Sequence, residues 1–318
     1  MRLSSINDIT FESIKNSSYD LGIFASGYES RCQFVSEKLE IEKINRQLVF
    51  GFECEKNNEV RSDSDNHFKE KWNENPKILS TENDLEVYSV LNNIARCDTE
   101  IPKRILIDYS SMSRTWYAAI LNWIRFQEIT EDVIVDFIYS AGSYYSTERL
   151  PISVKNILPL PGCDGASGTA TKSIAVFGLG FEGLAPLCVL DKLQPDEIFT
   201  YLASPAFDVK HTKNAREKNN ELINIAKETI ELPLFSVEIT FLKLAEVISP
   251  YLNGEDITFV PMGPKPHVLA AILLAIHFKQ ITCLHVNGSA LDPSDVIASG
   301  KTVSTRLLFK PEFILPKN

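Results

Sequence analysis

Residues 104–124 read RILIDYSSMSRTWYAAILNWI. The apolar run Ile105, Leu106, Ile107 ends at Asp108, and a hydroxyl-rich turn (Ser110, Ser111, Ser113) follows. From Arg114 onward apolar residues recur at helical spacing. This order predicts a buried strand, a polar turn and a helix start. In open α/β sheets such a junction lies at the carboxyl edge of the strands, where ligands bind. Residues 256–276, DITFVPMGPKPHVLAAILLAI, repeat the scheme, and the two stretches share AAIL at 118–121 and 270–273. An echo across that distance points to a duplicated unit.

Working outward, the first half predicts strands at LGIFA (21–25), QLVFGFE (47–53), a short KILS and VIVDFIYSAG (133–142). Between them come a helix entered near Arg61 and stopped before Pro76, a helix at 84–96 and one at 115–128. Thr81 and Asp84 form a plausible capping box for the 84–96 helix. After LPLPGCDGASGTATK the order recurs: strand SIAVF (173–177), turn GLGFEG, helix LAPLCVLDKL and strand EIFTYLAS (197–204). A helix at 215–230, another at 239–250, strand ITFVPM, a helix at 267–279 and strand TCLHVNG (282–288) complete it. The tail 302–310 alternates as an extra edge strand would. The expected fold is α/β: two tandem Rossmann-like parallel-sheet halves, residues 1–157 and 173–318, joined by a Gly/Pro/Ser/Thr-rich linker at 158–172.

The chain has 318 residues, is 44% hydrophobic and carries a formal net charge of −10. That size suits about two domains at roughly 150 residues each. The negative balance argues against broad nucleic-acid binding, which relies on Lys and Arg neutralising phosphates. The polar start MRLSSINDITFESIKN is no signal peptide, and no apolar run is long enough for a membrane span. Six cysteines, with no CxxC, read as reduced buried thiols of a cytoplasmic protein. Neither they nor the five histidines have metal-ligand spacing.

Three groups of residues can carry chemistry. Asp108, Ser110, Ser111, Ser113 and Arg114 form a hydroxyl-bearing turn at a helix start, suited to an anion, with Arg114 adding a forked contact. The alternative is a capped helix with an Asx turn at Asp108. Gly27, Glu29 and Arg31 follow the first strand, and Gly180 and Glu182 recur at the matching place. A carboxylate there can hold ribose hydroxyls, act as a base, or simply favour a helix start. Arg61 and Arg216 each follow the second strand of their half, close to Asn66 and to Asn219 and Asn220, and can close over a ligand or lie on a solvated face. Gly263, Lys265 and His267, in GPKPH, are stiffened by two prolines. GLGFEG matches G-x-G-x-x-G, but the strand that should end in a ribose-binding acid ends Leu202, Ala203, Ser204, Pro205. Dinucleotide binding is therefore disfavoured and no cofactor is expected.

The strand followed by D-Y-S-S-M-S-R resembles the D-x-T/S-x-G/S-x-K/R signature of CARF domains, Rossmann-like sensors of cyclic oligonucleotides in prokaryotic antiviral defence. Met112 stands near the family's small glycine position, and the second half has M-G-P-K-P-H with no preceding acid. Two such halves resemble the paired CARF and SAVED sensors, in which a ligand is held across a pseudo-twofold axis. The resemblance implies a nucleotide or other phosphorylated ligand bound in a cleft between the halves, and an effector protein as partner. By this resemblance Asp108, Ser110, Ser111, Ser113 and Arg114 carry over, with Lys265 as their counterpart. The other classes in view are a metal-independent phosphodiesterase or nucleotide hydrolase using Asp108, Arg114, Glu29 and Lys265, and a non-catalytic scaffold subunit.

Overall fold

The computed structural model describes residues 1–54, 58–97, 101–143, 154–165, 170–288 and 295–312. The chain divides into two units, Met1–Gly142 with Asp295–Asn318, and Ser143–Ser294. Each is built on one mixed, mostly parallel sheet in a Rossmann-like α/β arrangement.

In the first unit, β1 (Arg2–Ile9) and α1 (Phe11–Lys15) precede β2 (Tyr19–Ser26), α2 (Phe34–Lys38) and β3 (Ile44–Phe52). Then come α3 (Glu59–Trp72), β4 (Lys77–Leu79), α4 (Asp84–Cys97), β5 (Arg104–Asp108), α5 (Arg114–Arg125) and β6 (Val133–Gly142). The second unit contains β7 (Val154–Asp164), β8 (Ser173–Gly178), α6 (Leu184–Leu193), β9 (Glu197–Ala203), α7 (Val209–Lys218) and α8 (Asn220–Ile225). It continues with β10 (Glu228–Leu232), α9 (Val237–Ile248), β11 (Asp256–Pro261), α10 (Lys265–His277) and β12 (Ile281–Gly288). The last strand, β13 (Ala298–Lys310), belongs to the first unit.

The sheet orders are β1-β13-β6-β5-β2-β3-β4 and β10-β9-β8-β11-β12-β7. In both, the chain starts in a middle strand, adds two strands on one side, then returns to add two on the other. Both carry an antiparallel strand beside the fifth of these parallel strands, β13 against β6 and β7 against β12. The switch points therefore lie between β2 and β5, and between β8 and β11. Central parallel strands are covered on both faces, which is why they read as unbroken apolar runs. Ile105, Leu106 and Ile107 are at most 1% exposed. The two AAIL segments lie on the most enclosed helices: α10 is buried from Pro266 to Ile276, and α5 from Thr115 to Ile124 except at Asn122. The indoles on α5 bury their rings and satisfy their N–H groups, Trp116 on Ser80 O at 2.8 Å and Trp123 on Asn92 Oδ1 at 2.9 Å.

Several expectations need correction. The supposed linker begins as strand: Val154–Asp164 pairs with β12, its apolar and Pro-containing register suiting a sheet edge, while residues 166–169 lie outside the described residues. The tail strand is neither at an edge nor in the second half; it sits between β1 and β6. The N-terminal lead-in is itself strand β1, paired with that tail. The helix expected at 215–230 breaks at Asn219, whose side chain bonds backbone carbonyls, and residues 228–232 are edge strand β10. Thr81 and Asp84 do not form the capping box. Asn83 Oδ1 accepts from Leu85 N, and Glu86 accepts from Ser80 N and Asn83 Nδ2. Of the described cysteines, Cys32, Cys163 and Cys283 are buried while Cys54 and Cys188 are exposed.

A buried ion pair holds the returning tail. Arg306 on β13 faces Asp136 on β6 and forks onto both carboxylate oxygens at 2.7 Å, and Tyr19 OH donates to the same carboxylate at 2.8 Å. Asp136 is 0% exposed. Removing one partner strands a buried charge. Arg306→Ala is expected to cost about 3 kcal/mol, read as a lower urea midpoint at unchanged slope. Arg306→Lys, which cannot fork, should lose less.

Candidate functional site

The tips of β2 and β5 meet closely. A Cβ on Gly27 would lie 3.1 Å from Ser111 Cβ, so the absent side chain lets the two loops touch. Glu29 Oε2 accepts from Arg31 Nε and Nη2 at 2.9 and 2.7 Å, and from Ser111 Oγ at 3.3 Å. Arg31 is buried, donates to Tyr139 OH at 2.9 Å and lies 5.3 Å over the Tyr139 ring. Burial works against its charge, but Glu29 and then Tyr139 outweigh that and raise its pKa. The returning chain pins this loop: Ser30 N donates to Asp295 Oδ1 at 2.7 Å and Arg31 N to Val296 O at 3.1 Å.

Asp108 and Ser110 are internal supports. Ser110 N and Oγ both donate to Asp108 Oδ1, and Ser140 N donates to Ser110 Oγ at 2.7 Å. Ser110 is 0% exposed, so its hydroxyl joins β5 to β6 rather than facing outward. Gly27, Glu29, Arg31, Asp108, Ser110 and Ser111 thus form one connected group. Ser113 and Arg114 stand at the start of α5. Ser113 is the N-cap by position but makes no side-chain cap; its hydroxyl donates to Thr81 O at 3.4 Å.

Arg61 does not close over that edge. It is 1% exposed, donating from Nε to Asp65 at 2.8 Å and from Nη1 to Phe52 O at 2.9 Å. Asp65 also accepts from Ser26 Oγ, so α3 is clamped to the ends of β2 and β3. Arg216 is half exposed and pairs with Glu231 on β10. The two arginines therefore do different work despite their matching places.

In the second unit, GLGFEG owes its glycines to close backbone approach. A Cβ on Gly180 would run into Met262 O, and one on Gly183 into Lys218 O. One on Gly178 would meet the Tyr201 ring at 2.6 Å. Carbonyls of the chain itself thus lie against the Cα of Gly180 and Gly183, which accounts for both glycines without a pyrophosphate. Gly263 joins this group, its Cβ position 3.0 Å from Leu179 O. Asn219 Nδ2 ties the α7–α8 junction to Gly180 O at 2.8 Å. Among the described residues, Glu182 Oε2 and Asn219 Oδ1 are buried without a hydrogen-bond partner. Lys265 is the first residue of α10. His267, expected to face a ligand, is 1% exposed; its Nε2 meets Pro233 O at 3.2 Å and so carries the proton.

A second serine and histidine meet in the first unit, Ser36 Oγ and His67 Nε2 at 2.8 Å. Ser36 already donates to Gln33 O at 2.7 Å, so the histidine donates to it and leaves it unactivated as a nucleophile.

Helix starts differ with their place in the sheets. Those after outer strands are capped by side chains: α3 by Asn58, α7 by Asp208, α9 by Ser236 and α4 by Asn83. Those at the switch points, α5, α6 and α10, have no side-chain cap and no acid in the first turn. Moreover α5 and α10 open on cations, Arg114 and Lys265, against the helix dipole.

If close approach explains the glycines, Gly180→Ala and Gly183→Ala should each destabilise the protein by about 1–3 kcal/mol with no ligand involved, measurable by urea unfolding. Burial lowers the His267 pKa to about 4 from 6.5. Folded His267 stays neutral while the unfolded chain protonates, so stability is present above about pH 6.5 and falls toward pH 4. About 3 kcal/mol is at stake. His267→Gln should flatten the fall in melting temperature between pH 7 and 4.5 relative to wild type. Compared with protein-family models and with curated proteins, the chain matches none.

Proposed function

We propose that this protein binds a nucleotide or other phosphorylated small molecule at the carboxyl edge of its sheets, as a sensor rather than a hydrolase. One observation carries the reading: at the switch points, helix starts lack side-chain caps and two of them open on Arg114 and Lys265. Cations at a helix N-terminus oppose the dipole, and the backbone N–H groups of a first turn are ready donors to an anion. An anion answers both, and phosphate bound by backbone N–H groups and a forked guanidinium is the common solution. The likeness of D-Y-S-S-M-S-R to the CARF signature supports the same class of ligand, with an effector protein as downstream partner. Sensing is favoured over turnover because the acids near the edge serve the fold. Asp108 orients Ser110, and Glu29 holds Arg31.

A thermal-shift screen with ATP, a cyclic oligoadenylate, NAD and inorganic phosphate tests this. A ligand at about 100 times its Kd adds about 2.7 kcal/mol to native stability, an upward shift of several degrees. Arg114→Ala and Lys265→Ala should each weaken binding about tenfold. Absence of any shift favours the scaffold role. Turnover of the nucleotide, lost in Glu29→Ala, favours the hydrolase.

A further inference from the structure

Around Gly180 the second unit gathers two buried acceptors that face no donor. Asn219, 1% exposed, directs its amide nitrogen to Gly180 O at 2.8 Å and Ala215 O at 2.7 Å. Those carbonyls decide which end of the amide faces them, since an oxygen there would meet two acceptors. Its Oδ1 is therefore turned away from them, buried and unpartnered. Glu182 Oε2 is also buried and unpartnered, 2.8 Å from where a Cβ on Gly180 would stand. Glycine at 180 is thus what admits the carboxylate oxygen to this corner. Glu182 lies one residue before Gly183, which sits at the uncapped start of α6.

We infer that this corner takes the vicinal hydroxyls of a ribose whose phosphate lies at a switch-point helix start. The inference rests on the phosphorylated-ligand reading and names what else that ligand must carry. Two residues that both meet Gly180 each carry a buried acceptor still in need of a donor. A carboxylate and an amide oxygen offer nothing to a phosphate, which needs donors itself. A cationic donor is disfavoured by the positive end of α6 beside it, whereas neutral hydroxyls are not. A vicinal diol supplies both O–H groups on adjacent carbons, and one to a carboxylate makes a charge-assisted bond. Ribonucleotides and sugar phosphates share this diol-and-phosphate chemistry.

The test is calorimetric titration of the full chain with AMP, 2′-deoxy-AMP, 3′-deoxy-AMP and ribose 5-phosphate, for wild type and Glu182→Gln. In wild type, each deoxy form should bind about tenfold more weakly than AMP. Glu182→Gln should weaken AMP by a similar factor and bring the ribo and deoxy forms close to equality. Its melting temperature should hold or rise, because Oε2 gives up no hydrogen bond. Ribose 5-phosphate binding as tightly as AMP assigns the ligand to sugar phosphates and supports the inference. Weaker binding that keeps the deoxy penalty assigns it to ribonucleotides and supports it too. Equal binding of AMP and both deoxy forms to wild type overturns this inference and leaves phosphate binding standing. Failure of AMP and ribose 5-phosphate to bind wild type at all overturns both.

Discussion

A parallel strand reaches its parallel neighbour only by a crossover, and the crossover helix starts where the strand ended. That constraint organises both units. It brings the starts of α5, α6 and α10 to the carboxyl edges, together with the turn after β2, and it places their first-turn N–H groups beside the switch points. Elsewhere the chain answers such groups locally, with Asn58, Asn83, Asp208 and Ser236. At the switch points no side chain caps the helix. Local rules broken in one place and obeyed elsewhere mark a site under another demand.

The supports behind the edge are of two kinds. In the first unit they are polar: the Glu29–Arg31–Tyr139 chain and the Asp108–Ser110–Ser140 chain lock the loops after β2 and β5 onto β6. Hydrogen-bonded networks of this kind rigidify what they connect. In the second unit the supports are steric, with glycines bringing backbone against backbone at Met262 and Lys218. Apart from β1, the two sheets share one strand order. Their closing strands come from opposite ends, β7 ahead of its unit's first parallel strand and β13 after the whole of the other unit. The Asp136–Arg306 pair helps fix the late arrival in register.

Much of the fold was legible in residues 104–124 and 256–276. A buried parallel strand must be apolar throughout, and an enclosed helix must repeat apolar residues at its own period, so ILI and AAIL announce both without help from the rest of the chain. The parallel core strands and most of the helices follow from the same local patterns. Turn residues were legible as turns: Gly27, Glu29, Ser111, Arg114, Gly180, Glu182 and Lys265 all stand between strand ends and helix starts at the switch points. Their individual tasks were not legible. Arg61 and Arg216 occupy matching positions, yet one is enclosed by Phe52 and Asp65 and the other is paired at the surface, because burial depends on how the neighbouring elements pack and not on position alone.

The sequence alone determined the alternation of strand and helix, and with it the edge at which polar turns would collect. Only the tertiary structure decided that 302–310 would cross back between β1 and β6, that 154–164 would be strand instead of linker, and that Asp108 would serve Ser110 and β6. The reason is physical. Periodicity records whether a segment has a buried face, whereas strand partners and hydrogen-bond partners are chosen by how elements meet in space, as when β1 pairs with β13, through contacts that leave no period in either segment.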